Sequence, residues 1–314
     1  RVLPNTDGRA YGLLIPDTAS RDWLLAHWHE ATDETTRLAR LMLLHENYQA
    51  CLIPDALWLD ALMNGLRAET NPLLFSTITS YISTPLRALP SALREGPEKG
   101  LLRLSSSHPQ RSSRQRLLRM LIHSAAAPAT LARLYAIWRD RSEPLLNETD
   151  YTDLAYSLAV RLPDRSDSIV RTQRARLTDP DRIRRFDFIS RAMTPDTAAL
   201  DTLFRSLLIP ENRRIEPWTS ALLGWLNHPT RERHAVRYIR PALDALLDVQ
   251  RTGDIFFPRD WVGALLRNHR SPEAYRALLD FIDANPAYPP LLLNKVWQAA
   301  YPLYRANGEV ENEK

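Results

Sequence analysis

Apolar residues recur at intervals of three and four from Asp17 onward, the spacing that lines them up on one face of an α-helix. Asp33, for example, can cap a helix that carries Leu38, Leu41 and Tyr48 on one face. Clusters of proline, asparagine, aspartate and serine separate such segments. Two helices are predicted before residue 53, and further helices are predicted near residues 55–69, 71–88, 112–124, 128–140, 148–161, 165–177, 180–193, 196–208, 215–227, 232–249, 258–268, 272–284 and 290–305.

The composition agrees with an all-α fold of about fifteen short helices. Nine glycines in 314 residues is under half the usual frequency of about 7%, and leucine far outnumbers the β-branched residues, so little sheet is expected. A chain of this length exceeds the size at which a single core stops growing, which leaves two domains or a solenoid. Antiparallel helices joined by short turns favour a solenoid of stacked pairs, HEAT-like or armadillo-like, although no strict repeat is visible. Residues 90–110 are predicted to be a loop or a weak helix.

The first sixteen residues have a different character. Two short extended runs flank Asp7-Gly8, which is the signal of a β-hairpin. Two strands alone are marginally stable in water, so they are expected to belong to a sheet whose other strands are absent. The prediction is that residues 1–16 end a preceding β-domain and that residues 17–314 form a helical repeat domain. Because the chain starts at Arg1 without methionine or an apolar leader, a fragment of a longer protein is expected.

No motif for metal, phosphate or nucleophilic chemistry is complete. The pair His29-Glu30 resembles the start of the zinc motif H-E-x-x-H, but Asp33 stands where the second histidine should be. His45-Glu46 has Gln49 at that position. Cys51 is the single cysteine and lies beside the apolar face of its helix, where an inert buried thiol is expected. No catalytic or metal-binding residue and no cofactor is predicted for this chain.

The charge pattern leaves two interpretations open. Net charge is +4, and residues 101–139 contain no acidic residue but seven arginines: Arg103, Arg111, Arg114, Arg116, Arg119, Arg133 and Arg139. These could contact phosphates, or they could form a solvated helix surface or a contact with an acidic partner. Few aromatics lie among them to stack on bases, so nucleic acid is an unlikely partner. No apolar run approaches the ~20 residues of a membrane-spanning helix, and no membrane partner is predicted.

A second basic site occurs at the approach to a predicted helix. Arg213 and Arg214 are adjacent there, and guanidinium groups can bind a carboxylate through two hydrogen bonds. The competing interpretation is that Glu211 and Glu216 neutralise them.

Several segments resemble a known family. Residues 3–12 (LPNTDGRAYG) resemble the strand pair that closes the small β-sandwich of aminopeptidase N-like zinc metallopeptidases, the gluzincin family. Residues 181–196, 210–229, 236–251 and 252–266 resemble the later helices of the bacterial branch of that family. The family motifs G-x-M-E-N and H-E-x-x-H with its third glutamate ligand are absent, so no catalytic or zinc residue is carried over.

The resemblance implies the C-terminal helical domain of such an aminopeptidase, with the zinc and the catalysis in a separate domain of the parent enzyme. This part would be inactive alone, would cap the active-site cavity and would govern peptide access. Its implied partners are the parent's catalytic and β-sandwich domains and a peptide substrate. Some members of the family hold the substrate's C-terminal carboxylate with an arginine of the helical domain, for which Arg213, Arg214 and Arg251 are the candidates here.

The alternative is a free-standing helical-repeat scaffold that binds a protein or nucleic acid through its arginine-rich face. The hairpin at the start of the chain favours the enzyme domain, because a solenoid has no use for two isolated strands. The sequence predicts a soluble protein. Its many arginines and single cysteine are equally compatible with the cytoplasm and with the periplasm or cell envelope, so no compartment is predicted.

Overall fold

The computed structural model describes residues 12–308, and over that range the chain is all-α, as predicted. The described residues contain no strand; residues 13–17 are neither helix nor strand, and the predicted hairpin lies largely on residues 1–11, outside the described range. The chain divides after Leu154 into two compact units. The proposed HEAT-like or armadillo-like stacking and the domain boundary at residue 16 stay predictions.

Unit 1 contains the first seven helices, and the eighth crosses the boundary. They are α1 (Thr18–His27), α2 (Glu34–Gln49), α3 (Asp55–Ala68), α4 (Pro72–Ala88), α5 (Glu95–Ser107), α6 (Arg111–Ser124), α7 (Pro128–Asp140) and α8 (Glu148–Arg161). Here α4 packs on α3 and α6, and α5 packs on α6 and α7.

Unit 2 contains the remaining nine described helices. They are α9 (Ser166–Arg176), α10 (Pro180–Ile189), α11 (Thr197–Leu207), α12 (Glu216–Leu226), α13 (Glu232–Asp244), α14 (Leu246–Thr252), α15 (Phe257–Leu266), α16 (Pro272–Asp283) and α17 (Pro290–Asn307). In this unit α15 packs on α12 and α17, and α13 packs on α16. The predicted helix over residues 232–249 is two helices, divided at Ala245.

Residues 90–110, predicted to be a loop or a weak helix, contain the 3₁₀ turn Ser91–Leu93 and helix α5, so the loop alternative is wrong. Two glycines and three consecutive serines give this segment a poor intrinsic helix propensity. Packing compensates, because Leu101 is fully buried and Gly100 faces the methyl group of Met63, which would lie 3.2 Å from a Cβ atom at that position.

Three helices that begin with proline are capped at their N-termini in the same way. In each, a glutamate carboxylate accepts hydrogen bonds from the backbone N–H groups of the two residues before the proline. The glutamates are Glu69 for α4, Glu98 for α7 and Glu232 for α16. The proline itself has no N–H to satisfy, and the negative charge at the helix N-terminus is favoured by the helix dipole.

In the core of unit 1 a tryptophan ring packs directly against a glycine. Trp28 is fully buried, and its indole N–H donates to the carbonyl oxygen of Ala61 at 3.0 Å. Its ring covers Gly65 of α3 so closely that a methyl group on Gly65 would lie 2.0 Å from a ring carbon. Gly65 is therefore required by packing rather than by backbone conformation.

We expect Gly65→Ala to lower the free energy of unfolding by about 2–3 kcal/mol, because the added methyl group overpacks a buried ring. Gly224→Ala in α12 is the matched control, since the nearest atom to its added methyl group is 4.0 Å away. The control is expected to gain up to about 1 kcal/mol from the better helix propensity of alanine. Urea unfolding of both variants checks this, and equal shifts of the two would contradict the packing argument.

A buried histidine lies in the turn between α15 and α16. His269 is fully buried, and its Nε2 is 2.9 Å from Oδ1 of Asn227. The Asn227 amide donates to the carbonyl oxygen of Leu223, which leaves its oxygen to accept from the imidazole. Burial lowers the pKa of His269 to about 4, although the nearby Glu232 carboxylate acts in the opposite direction. The imidazole is therefore neutral at neutral pH.

The pKa of His269 is lower in the folded than in the unfolded chain. The neutral imidazole therefore contributes to the free energy of unfolding, and this contribution has its full value above about pH 6.5. That stability is lost as pH falls towards 4, by up to about 3 kcal/mol. His269→Gln removes this titration, so the free energy of unfolding of the variant should fall less steeply than that of the wild type between pH 6.5 and 5. Urea unfolding across that range measures both slopes, and parallel curves would contradict the assignment.

Candidate functional site

A recess in unit 2 brings two of the three predicted arginines together. It forms where the 3₁₀ turn Pro210–Arg213 and the start of α12 meet the end of α14 and the start of α15. The cavity measures about 270 Å³ and is lined by Pro210, Glu211, Arg213, Arg214, Glu216, Thr252 and Phe257. Arg251 does not line the recess but directly precedes Thr252.

Arg213 is a structural residue of this recess. Its side chain is 2% exposed and donates to the carbonyl oxygen of Leu208 at 3.1 Å, to the Thr252 hydroxyl at 3.2 Å and to the Asp248 carboxylate. The guanidinium also lies 6.0 Å from the centre of the Trp261 ring. These bonds join the 3₁₀ turn to α14 and occupy the donors that a substrate carboxylate would need.

Arg251 shares the carboxylate of Asp248 with Arg213. One of its terminal nitrogens lies 2.6 Å from Oδ1 of Asp248, and the side chain is 80% exposed. Hydrogen bonds from Arg251 and then from Arg213 lower the pKa of Asp248, so that carboxylate is charged at neutral pH. The charge of Arg251 is compensated locally.

Arg214 differs from both of its neighbours. It is exposed, it lines the recess, and within the described part of the chain it makes no hydrogen bond or ion pair. Neither predicted partner neutralises these arginines: Glu216 accepts the backbone N–H of Asp254 at 2.9 Å, and no bond from Glu211 to either arginine is found among residues 12–308. Arg214 is thus the arginine of this recess whose guanidinium binds no carboxylate among residues 12–308, although Glu211 and Glu216 line the same recess.

Sequence reasoning did not identify Asp248. This carboxylate binds Arg213 and Arg251 but not Arg214, and so it determines which arginine can bind a ligand. It lies 35 residues from Arg213 along the chain and on a different helix. Only the i, i+3 spacing to Arg251 is a local signal, and that spacing is common on solvated helix surfaces.

Exposed apolar side chains lie beside the residues that line the recess. Ile209 and Ile215 flank the 3₁₀ turn and are 50% and 48% exposed, while Ile255 and Phe256 precede Phe257 and are 78% and 56% exposed. Apolar side chains gathered around a polar recess are typical of a surface that binds another molecule.

Of the two histidines considered for zinc, His29 lies edge-on to the ring of Trp28 with centroids 5.8 Å apart, and His45 is held by two contacts. The ring of His45 stacks on Tyr81 with centroids 3.5 Å apart, and its Nε2 lies 3.1 Å from the side-chain amide of Gln49. Among residues 12–308 no three His, Cys, Asp or Glu side chains are grouped as metal ligands would be. The same residues include no helix with the length and apolar character needed to cross a bilayer.

The arginine-rich stretch is distributed over α5, α6 and α7 of unit 1. Two of its arginines are paired: Arg119 makes two hydrogen bonds to Asp150 at 2.7 and 3.0 Å, and Arg139 pairs with the adjacent Asp140. Arg116 and Arg133 are exposed and have no partner among the described residues.

Comparison with known proteins gives no independent assignment. No protein-family model matches the chain, and no curated protein matches it. The resemblance to aminopeptidase N-like enzymes therefore depends on the sequence segments, and the recess has to be interpreted from its own chemistry.

Proposed function

We propose that this chain is the helical domain of a zinc-dependent aminopeptidase, without catalytic residues of its own, and that it caps the peptide cavity and governs access to it. In this proposal Arg214 binds the C-terminal carboxylate of the peptide. The zinc, the catalytic domain and the β-sandwich belong to the parent enzyme.

The observation that carries the proposal is the exposed guanidinium of Arg214, which lines the recess and makes no hydrogen bond or ion pair among residues 12–308. A guanidinium group binds a carboxylate through two parallel hydrogen bonds, and such charge-assisted bonds are the strong ones in proteins. Arg213 and Arg251 are less suitable because both already bind Asp248. The exposed side chains of Ile209 and Ile255 offer apolar contacts to the rest of a peptide.

The alternative function is a helical scaffold that binds a protein or nucleic acid through its arginine-rich face. Arg103, Arg111, Arg116 and Arg133 are exposed, which supports that alternative. A scaffold of this kind would bind its partner through the total positive charge of the face. The aminopeptidase proposal instead requires that the protein recognise one carboxylate group.

The test is the binding of a fluorescent peptide, labelled at its N-terminus, with either a free or an amidated C-terminus. We expect the free acid to bind about ten- to a hundredfold more tightly, since a bond to a charged group is worth about 1.5–3 kcal/mol. Arg214→Ala should abolish that difference. Arg251→Ala is the matched control, because it removes a neighbouring exposed arginine whose charge Asp248 compensates.

Equal affinity for the free and amidated peptides would contradict the role of Arg214. Equal losses in the Arg214→Ala and Arg251→Ala variants would favour general electrostatic attraction and hence the scaffold. In the parent enzyme, Arg214→Ala should lower kcat/KM for free-carboxylate peptides and leave a small aminoacyl reporter unchanged.

A further inference from the structure

Unit 1 contains a second cavity, unrelated to the recess of unit 2. It lies between α4 and α6 and measures about 440 Å³, within the range of small-molecule sites. Its lining contains cations and hydroxyl groups but no acidic residue: Pro72, Phe75, Thr79, Ser80, Ser83, Ser112, Ser113, Gln115, Arg116, Arg119, Met120 and His123. We call it the α4–α6 cleft.

The cleft is positively charged through two arginines one helical turn apart on α6. Arg116 is exposed and makes no hydrogen bond or ion pair with any residue in the described range. Arg119 binds Asp150 through Nε and one terminal nitrogen, and Asp150 itself does not line the cleft. The hydrogen bond to Asp150 raises the pKa of Arg119, which is therefore a permanent cation.

Two hydroxyl groups of the cleft are free to bind a ligand. The hydroxyls of Thr79, Ser80 and Ser113 donate within their own helical turns, at 2.7 to 3.1 Å. The hydroxyls of Ser83 on α4 and Ser112 on α6 have no hydrogen-bond partner among residues 12–308. Free donors therefore lie on both helices that form the cleft.

Part of the cleft wall is apolar. Phe75, Met120 and Pro72 line it beside the polar groups. A ligand that fits this lining has an anionic group for Arg116 and the hydroxyls, and an organic body for the apolar wall.

We propose that the α4–α6 cleft binds a small phosphate monoester. A phosphate group presents three oxygens and can accept from Arg116, Ser83 and Ser112 together, whereas a carboxylate has only two oxygens to offer. A nucleic-acid strand fits less well, because successive bases need several aromatic rings to stack on and Phe75 is the one Phe, Tyr or Trp residue of the described range that lines the cleft. This site is independent of the function proposed for unit 2.

Isothermal titration of the full chain with phenyl phosphate, inorganic phosphate and benzoate at one fixed ionic strength tests the proposal. We expect phenyl phosphate to bind most tightly, because it supplies both the phosphate and an apolar body. Inorganic phosphate should bind more weakly, and benzoate at least several-fold more weakly than phenyl phosphate. Benzoate binding as tightly as phenyl phosphate, or no heat from either phosphate, would overturn the assignment.

Variants separate a built site from general attraction to a basic surface. Arg116→Ala should weaken phenyl phosphate binding about tenfold or more, since it removes a charged hydrogen-bond donor. Arg133→Ala on α7 removes the same charge from an exposed arginine outside the cleft and should leave binding unchanged.

The double variant Ser83→Ala, Ser112→Ala keeps every charge and should weaken binding several-fold. Equal effects of Arg116→Ala and Arg133→Ala, or no effect of the double variant, would show that the cleft does not recognise phosphate.

Discussion

The structure depends on hydrogen bonds to the backbone N–H and C=O groups at its many helix ends. Short helices leave a large number of these groups without intrahelical partners. At three helix N-termini carboxylates supply the acceptors: Glu69, Glu98 and Glu232 each accept from the two N–H groups before a helix that begins with proline. Glu98 and Glu69 are 0% and 5% exposed, so their carboxylates are part of the core. The bonds of Glu98 and Glu232 join segments 28 to 39 residues apart, whereas those of Glu69 go to the next two residues.

Cations perform the complementary task at carbonyl groups of unit 2. Arg231 donates to the carbonyl oxygens of Ala192 and Thr194, which follow α10, and to that of Trp225 at the end of α12. Burial lowers the pKa of Arg231 to about 10, so it remains protonated at neutral pH and keeps these bonds. Arg213 acts in the same way on the carbonyl of Leu208. Arg213 and Arg231 are thus structural, whereas Arg214 makes no such bond among residues 12–308.

The helices could be predicted because their signal is local: a period of three to four residues, caps such as Asp33, and prolines between segments. Helix α5 could not, since its support comes from Met63 in another helix and from the bonds of Glu98 to residues 28 and 29 positions away. The candidate site was predictable only as a pair of adjacent arginines. Which of the two is free depends on Asp248, a contact across 35 residues that no spacing rule reveals. The α4–α6 cleft likewise needs the packing of two helices, although its arginines were evident in the sequence.

Carboxylates cap the proline starts of α4, α7 and α16, and Glu98→Gln, which changes the fully buried member of the three, tests this claim most directly. The substitution keeps the size of the side chain but replaces one acceptor oxygen with an NH2 donor, which then faces the N–H group of either Ala126 or Ala127. Glu95→Gln, three residues earlier on the same helix and exposed, is the control. Urea unfolding should show a loss of about 2–3 kcal/mol for Glu98→Gln, as expected when buried donors lose their partner, and less than about 1 kcal/mol for the control. Equal and small losses for the two variants would contradict the claim.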